Sequence, residues 1–148
     1  MDYFAPVQTE LKSQINQIQN LANQSLEAKE NWIKEKIKDR WLLGIDPSGN
    51  KIGFYRSSEY AGFKSSINNK AGLGNVDLTL TGALGRGIKV KGFNTGLEIY
   101  STDSKYDEIT EKYGDYNFNL SDEVRDELFN EVLSEILNEV INQSYALL

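Results

Sequence analysis

At 148 residues, 39% of them hydrophobic and 26% charged, the chain has the length of one domain and enough apolar material to bury a core. Its 22 acidic residues against 16 basic ones leave a net charge of −6, which leans against direct nucleic-acid binding as the main task. There is neither cysteine nor histidine, so disulfides, thiolate metal sites and the commonest general base are excluded together.

The opening MDYFAPVQTE has no basic stretch followed by an apolar one, as a signal peptide would, and no apolar run approaches the roughly 20 residues of a membrane span. A soluble, unsecreted domain without a membrane partner is the expectation. Residues 7–41 predict helix: Val7, Leu11, Ile15, Ile18, Ala22 and Leu26 recur at three- and four-residue steps. Ile33 and Ile37 continue the pattern beside Trp32 and Trp41, and Gly44 is a stop signal. One helix of about 35 residues would be about 50 Å long, more than a domain of this size needs. Either part of it projects or lies on a neighbouring subunit, or a break near Ser25, where the composition changes, folds two helices onto one core. Asp46-Pro47-Ser48-Gly49-Asn50 is a turn. Its alternating oxygen side chains suggest a calcium loop, but Lys51 and Ser57 stand where such a loop needs glycine and glutamate, so a side-chain-capped turn is expected. Ile52 to Tyr55 is extended, Ser57 caps a brief helical turn through Tyr60, Phe63 and Lys64, and residues 65–74 form an exposed loop.

Val76 to Ser101 predicts the central antiparallel sheet. Val76, Leu78 and Leu80 alternate with Asp77, Thr79 and Thr81, and after a glycine-rich interruption Ile88 and Val90 alternate with Lys89 and Lys91. Gly92 to Gly96 forms a five-residue hairpin connection, and Leu97 and Ile99 alternate with Glu98 and Tyr100 on the return. Asp103 or Ser104 caps a short helix that buries Ile109 and ends at Tyr113-Gly114; Tyr116, Phe118 and Leu120 share one side of the connector after it. Ser121 starts the last helix, with Asp122 and Glu123 placed well for the helix dipole. One apolar column there is Val124, Leu128, Val132, Ile136 and Val140; the next is Phe129, Leu133, Leu137 and Ile141. Together they cover a sheet, or touch a second helix as well. The opposite face carries seven acids against Arg125, either a solvated face or a strip for a basic partner. The fold class is thus α+β: a small antiparallel sheet packed against a long N-terminal helix and a C-terminal amphipathic helix. Residues 1–44 are the helical segment and 45–148 the α+β core, together one domain.

Chemistry finds little support. Gly82 to Lys89 lacks the phosphate-loop pattern and is not expected to lead into a helix. Ser104 with Lys105, or Ser65 with Lys64, are the nearest serine–lysine pairs, and adjacency alone does not make a nucleophile. No catalytic, cofactor or metal residue is expected.

Along the chain come Asp46-x-x-Gly49-Asn50-Lys51-Ile52-Gly53-x-Tyr55, Tyr60 and Lys64, Val76-Asp77-Leu78-x-Leu80-Thr81-Gly82-Ala83-Leu84, Ile99 to Asp103 with Lys105, Ile109 to Gly114, and Phe118-Asn119-Leu120-Ser121. This order of motifs resembles the tail-completion and neck proteins of tailed bacteriophages. It spans residues 45 to 140, and the N-terminal helix fits in type only. Ala83-Leu84 departs from the family, which often has a bulky residue two positions after the glycine. The resemblance implies a non-enzymatic virion component, without cofactor, assembled in the bacterial host cytoplasm. It would form a homo-oligomeric ring at the head–tail junction, between a portal or adaptor ring and the tail tube, with DNA passing through its lumen. The surfaces offered for such packing are Trp32 and Trp41, the basic Arg86, Lys89 and Lys91, and the acidic Glu127, Glu131 and Glu135. A free-standing adaptor domain of the same fold, or a small hydrolase, are the rival readings.

Overall fold

The computed structural model describes residues 4–93 and 96–146. The fold is α+β: α1 (Ala5–Ala28), α2 (Glu30–Leu42), α3 (Ser58–Ile67), α4 (Ala83–Arg86), β1 (Ile88–Phe93), β2 (Gly96–Ser101), α5 (Tyr106–Tyr113), a 3-10 turn (Asp115–Phe118) and α6 (Asp122–Ala146). Only Lys29 separates α1 from α2, four residues beyond the expected break, and the Ile33 amide already bonds back to its carbonyl. α2 contributes Ile33, Ile37 and Trp41, one buried row at four-residue steps. Around that row gather Val76, Leu78, Leu84, Ile88, Val90, Phe118, Leu128 and Val132. The Trp41 and Phe118 rings meet edge to face, with centroids 5.0 Å apart, and the Trp41 indole N–H donates to the Asn117 carbonyl at 3.0 Å. Gly44 ends the helical segment at φ +66°, where an added Cβ would sit 2.8 Å from the Val76 carbonyl oxygen.

β1 and β2 pair antiparallel from Ile88↔Ser101 to Phe93↔Gly96, so the strands run further than expected and the five-residue connection is corrected to a tighter one. Asn94 and Thr95, at its centre, lie outside the described residues. Ile88 and Val90 face the core while Lys89 and Lys91 face outward, as the alternation predicts. α1 lies across β1 so closely that a Cβ on Gly92 would stand 3.0 Å from the Asn23 Cα.

The expected strand at Val76 to Thr81 does not form. Val76, Asp77 and Leu78 are all buried in succession, which no half-buried strand allows; the backbone pairing here is the isolated bridge Phe54↔Asn75 beside this stretch, with the Val76 amide donating to the Gly53 carbonyl at 2.9 Å. The cause is the Asp77 carboxylate, which turns inward to an ion pair with Lys64 and also accepts from Asn68 (2.9 Å) and from the Thr79 hydroxyl (2.9 Å). The buried Ala71 likewise makes residues 65–74 less exposed than expected. The glycine-rich run does enter a helix, contrary to expectation, but α4 is a single turn whose first amide donates to the Thr81 hydroxyl at 3.3 Å. Local capping follows the sequence elsewhere, except before α5. Ser57 accepts from the Tyr60 amide at 3.2 Å, Asp46 takes the amides of Ser48 and Asn50 at 2.8 and 2.9 Å, and Ser121 accepts from Val124 at 3.4 Å. The cap expected at Asp103 or Ser104 is corrected: α5 starts from Lys105 with no side-chain cap, the Asp103 carboxylate taking only the Lys105 amide at 2.9 Å in the turn before it, and Ile109 is half-buried. In the connector it is Asn117 and Phe118 that are buried, while Tyr116 is exposed.

α6 runs antiparallel to the first two helices. Its successive acids meet bases in reverse order along them: Glu127 pairs with Lys36 (3.3 Å), and Glu131 and Glu135 both pair with Lys29 (2.8 and 2.9 Å).

Candidate functional site

Three elements enclose an apolar groove of about 1090 Å³. Ala22 and Leu26 of α1 form the floor, Leu97 and Ile99 of β2 one wall, and Leu128, Phe129, Val132, Leu133 and Ile136 of α6 the other. The turn at Asp46 to Gly49, Arg40 and Leu120 close one end. The groove exists because each of its makers is amphipathic over a wider arc than the core can cover. Leu128 and Val132 of the first α6 column reach the core, whereas Phe129 and Leu133 of the second remain 63% and 41% exposed along the groove. At about 1090 Å³ the groove stands at the upper end of the volumes usual for ligand sites.

Polar groups line the groove at Gln19 and Asn23 of α1 as well as at the closed end, where Arg40 is the most deeply placed. The Arg40 guanidinium donates to the carbonyls of Asn117 (2.5 Å) and Asn119 (2.8 Å), and burial lowers its pKa to about 10 despite the Asp46 carboxylate nearby. Its role there is to tie the connector to α2. Among the described residues no group of three or more acidic side chains is placed to hold a metal ion, and no helix is long and apolar enough to cross a membrane.

A second apolar surface lies on the part of α1 that extends past the groove. No residue of α1 is buried. Val7, Leu11, Ile15 and Ile18 form a continuous stripe along the helix, with Leu11 and Ile15 52% and 53% exposed. At the far end of α6, Leu137, Ile141 and Tyr145 are exposed as well.

The residues expected to meet a neighbouring subunit fare unequally. Trp41 is corrected outright: it is fully buried and is the largest side chain of the core, so it presents nothing to a partner. Trp32 is half-buried at the core edge with the Lys36 ammonium 5.0 Å over its ring. Arg86 belongs to α4 and not to a strand face; its guanidinium donates to the Thr81 carbonyl at 3.0 Å. Lys89 pairs with Glu30 at 3.1 Å, whose carboxylate also takes the Val90 amide, and the Lys91 ammonium sits 5.1 Å over the Phe93 ring. Glu127, Glu131 and Glu135 do not form a free acidic strip, because Lys36 and Lys29 meet all three within the subunit. Burial is outweighed at Glu30 by Val90 and Lys89, which hold its carboxyl below the ordinary value; hydrogen bonds from Ser25 and Lys29 do the same at Glu135. Of the serine–lysine pairs, Lys64 is committed to Asp77, and Ser104 and Lys105 stand exposed.

The groove itself was missing from the expected sites. Its signal was present in the second α6 column, since Phe129 and Leu133 are surplus to what a two-stranded sheet can cover. No family model matches the chain, and neither a curated protein nor a solved structure matches it.

Proposed function

We propose that the chain is a structural ring subunit of a tailed bacteriophage virion, at the head–tail junction between portal or adaptor proteins and the tail. The observation that carries this reading is the pair of unlike apolar surfaces on one subunit: the projecting stripe of α1 and the groove between β2 and α6. Exposed apolar area of this extent marks a surface made to be covered. Two different surfaces suit a heterologous, head-to-tail contact, which closes into a ring when the rotation between copies allows. The motif order around Asp46-Pro47-Ser48-Gly49-Asn50, Leu80-Thr81-Gly82 and Tyr113-Gly114 supports the choice of a neck or tail-completion subunit among ring-formers. In that role the chain performs no chemistry: it offers area and shape, and the net charge of −6 leaves passing DNA little to bind.

The test is direct imaging. Purified protein, alone and with the portal assembly of its own virus, is examined by light scattering and negative-stain microscopy. Discrete rings support the proposal. A protein that stays monomeric and leaves the portal unaltered overturns it.

A further inference from the structure

We infer that the ring contact is made by the exposed stripe of α1 of one copy lying in the β2–α6 groove of the next. This contact deepens, and rests on, the ring reading above: the partner of the groove is a second copy of this chain, and the segment it receives is the α1 stretch from Val7 to Ile18.

Three observations choose that occupant. The first is spacing. Leu11, Ile15 and Ile18 step by four residues and then three, and Phe129, Leu133 and Ile136 on the groove wall step in the same way. Side-chain rows of equal period interdigitate along two helices. The second is length. The α1 stripe from Val7 to Ile18 is about 17 Å long, and the groove follows α6 from Asp122 to Ile136, about 21 Å at 1.5 Å per residue. The stripe fits within it. The third is charge. From Ala5 to Ile18, α1 carries one acid, Glu10, and one base, Lys12, so it brings no net charge to the groove. The other exposed apolar helix, α6, keeps a surplus of acids even after Glu127, Glu131 and Glu135 are paired within the subunit; as occupant it would bring that surplus towards Asp122 and Glu123 on the groove wall. The α1 stripe is therefore the occupant the groove accepts without repulsion.

The contact also accounts for a feature the isolated subunit leaves unexplained. α1 is 24 residues long, yet none of its residues is buried, and its second half supplies Ser25 to Glu135 of α6 and Glu27 and Asn23 to Gly92 of β1, whereas Val7 to Ile18 is exposed throughout. In a head-to-tail ring that first half is the neighbour's core.

The absence of cysteine makes the test clean. Two single-cysteine proteins are made, Ile15→Cys and Leu133→Cys, both at exposed positions where the fold is not at stake. Each alone, and then an equal mixture, is treated with a short bismaleimide, which bridges the helices whichever way they run. The contact predicts a cross-linked dimer in the mixture and none in either variant alone. An Ile15→Cys dimer formed alone would mean that two α1 stripes meet each other, and overturns the contact; so does a mixture that yields no dimer. A second experiment uses glutamate pairs, Leu11→Glu with Ile15→Glu, and Phe129→Glu with Leu133→Glu. Each pair raises the protein concentration needed for assembly at least a hundredfold, because two buried apolar side chains are lost and each is worth about a factor of ten. Mixed, the two proteins retain one intact contact between them and form a dimer that grows no further. Wild-type rings that survive both pairs overturn this contact and leave the ring reading standing, whereas a wild type that never assembles, alone or on its portal, overturns both.

Discussion

Asp77 and Lys64 are the residues whose chemistry most shapes the local fold. Their side chains are 1% and 3% exposed, and each is the other's counter-ion in a place water does not reach. Burial alone would raise the Asp77 carboxyl, but hydrogen bonds from Lys64, Asn68 and Thr79 outweigh it and hold the carboxyl below its ordinary value. Removing the carboxylate strands a buried ammonium, so Asp77→Ala is expected to cost about 3–5 kcal/mol, read as a lowered urea midpoint with little change in slope. The sign of the pH dependence follows from the same shift. A carboxyl depressed in the folded state contributes stability that is fully present above the unfolded value near 3.8. That contribution is lost as the pH falls from there through the lower native value. Wild type should lose stability over that acid range, and Asp77→Ala should lose correspondingly less; parallel pH curves for the two proteins would contradict the assignment. At Gly92 the constraint is space. A methyl group there meets the Asn23 backbone at 3.0 Å, so Gly92→Ala should lift the hairpin from α1 and cost about 1–3 kcal/mol in denaturant melts.

Among the elements, α1 is the one held least within its own subunit. Its second half is tied to α6 through Ser25, with Lys29 just past its end doing the same, and meets β1 through Asn23 and Glu27, while the stretch from Val7 to Ile18 is exposed throughout. Helices of about 12 residues without a packed face are marginal in water. Amide exchange should therefore be fast from Val7 to Ile18 in the monomeric Phe129→Glu/Leu133→Glu protein and slow markedly in wild-type assemblies; equal protection in both would mean that nothing covers the stripe. The same contrast marks what the sequence could disclose. Helices with a polar start and a full apolar column were legible: Ser57 and Ser121 both cap as their positions imply, and Ile88 and Val90 turn inward from Lys89 and Lys91. Val76 to Thr81 misled because its alternation treats Asp77 as a solvent-facing residue, and periodicity has no means of placing Lys64 beside it. The groove was half legible. A second apolar column on α6 announces an uncovered face, but the floor under it is set by where α1 crosses β1, a long-range arrangement that local spacing does not encode.

For the whole molecule, the question is whether charge or apolar area would join one copy to another. Opposite charges on separate faces were the natural first reading of Lys89 and Lys91 against the acids of α6. Within the subunit, however, Glu127, Glu131 and Glu135 already face Lys36 and Lys29, and Lys89 already faces Glu30. Exposed pairs of this kind contribute on the order of 0–1 kcal/mol each and have little attraction left for a neighbour. What one copy then presents to the next over distance is chiefly its net charge of −6, which is repulsive. Salt shortens the reach of that repulsion, to about 10 Å at 0.1 M and about 3 Å at 1 M, while the burial of Leu11, Ile15, Phe129 and Leu133 does not weaken with ionic strength. Assembly should accordingly be unchanged or stronger in about 0.5 M sodium chloride than in about 0.05 M, and stronger again in sulfate, when mass is followed by light scattering at fixed protein concentration. Rings that dissociate as salt rises would show that ion pairs between copies carry the contact, and would move the interface from the apolar groove to the charged faces of β1 and α6.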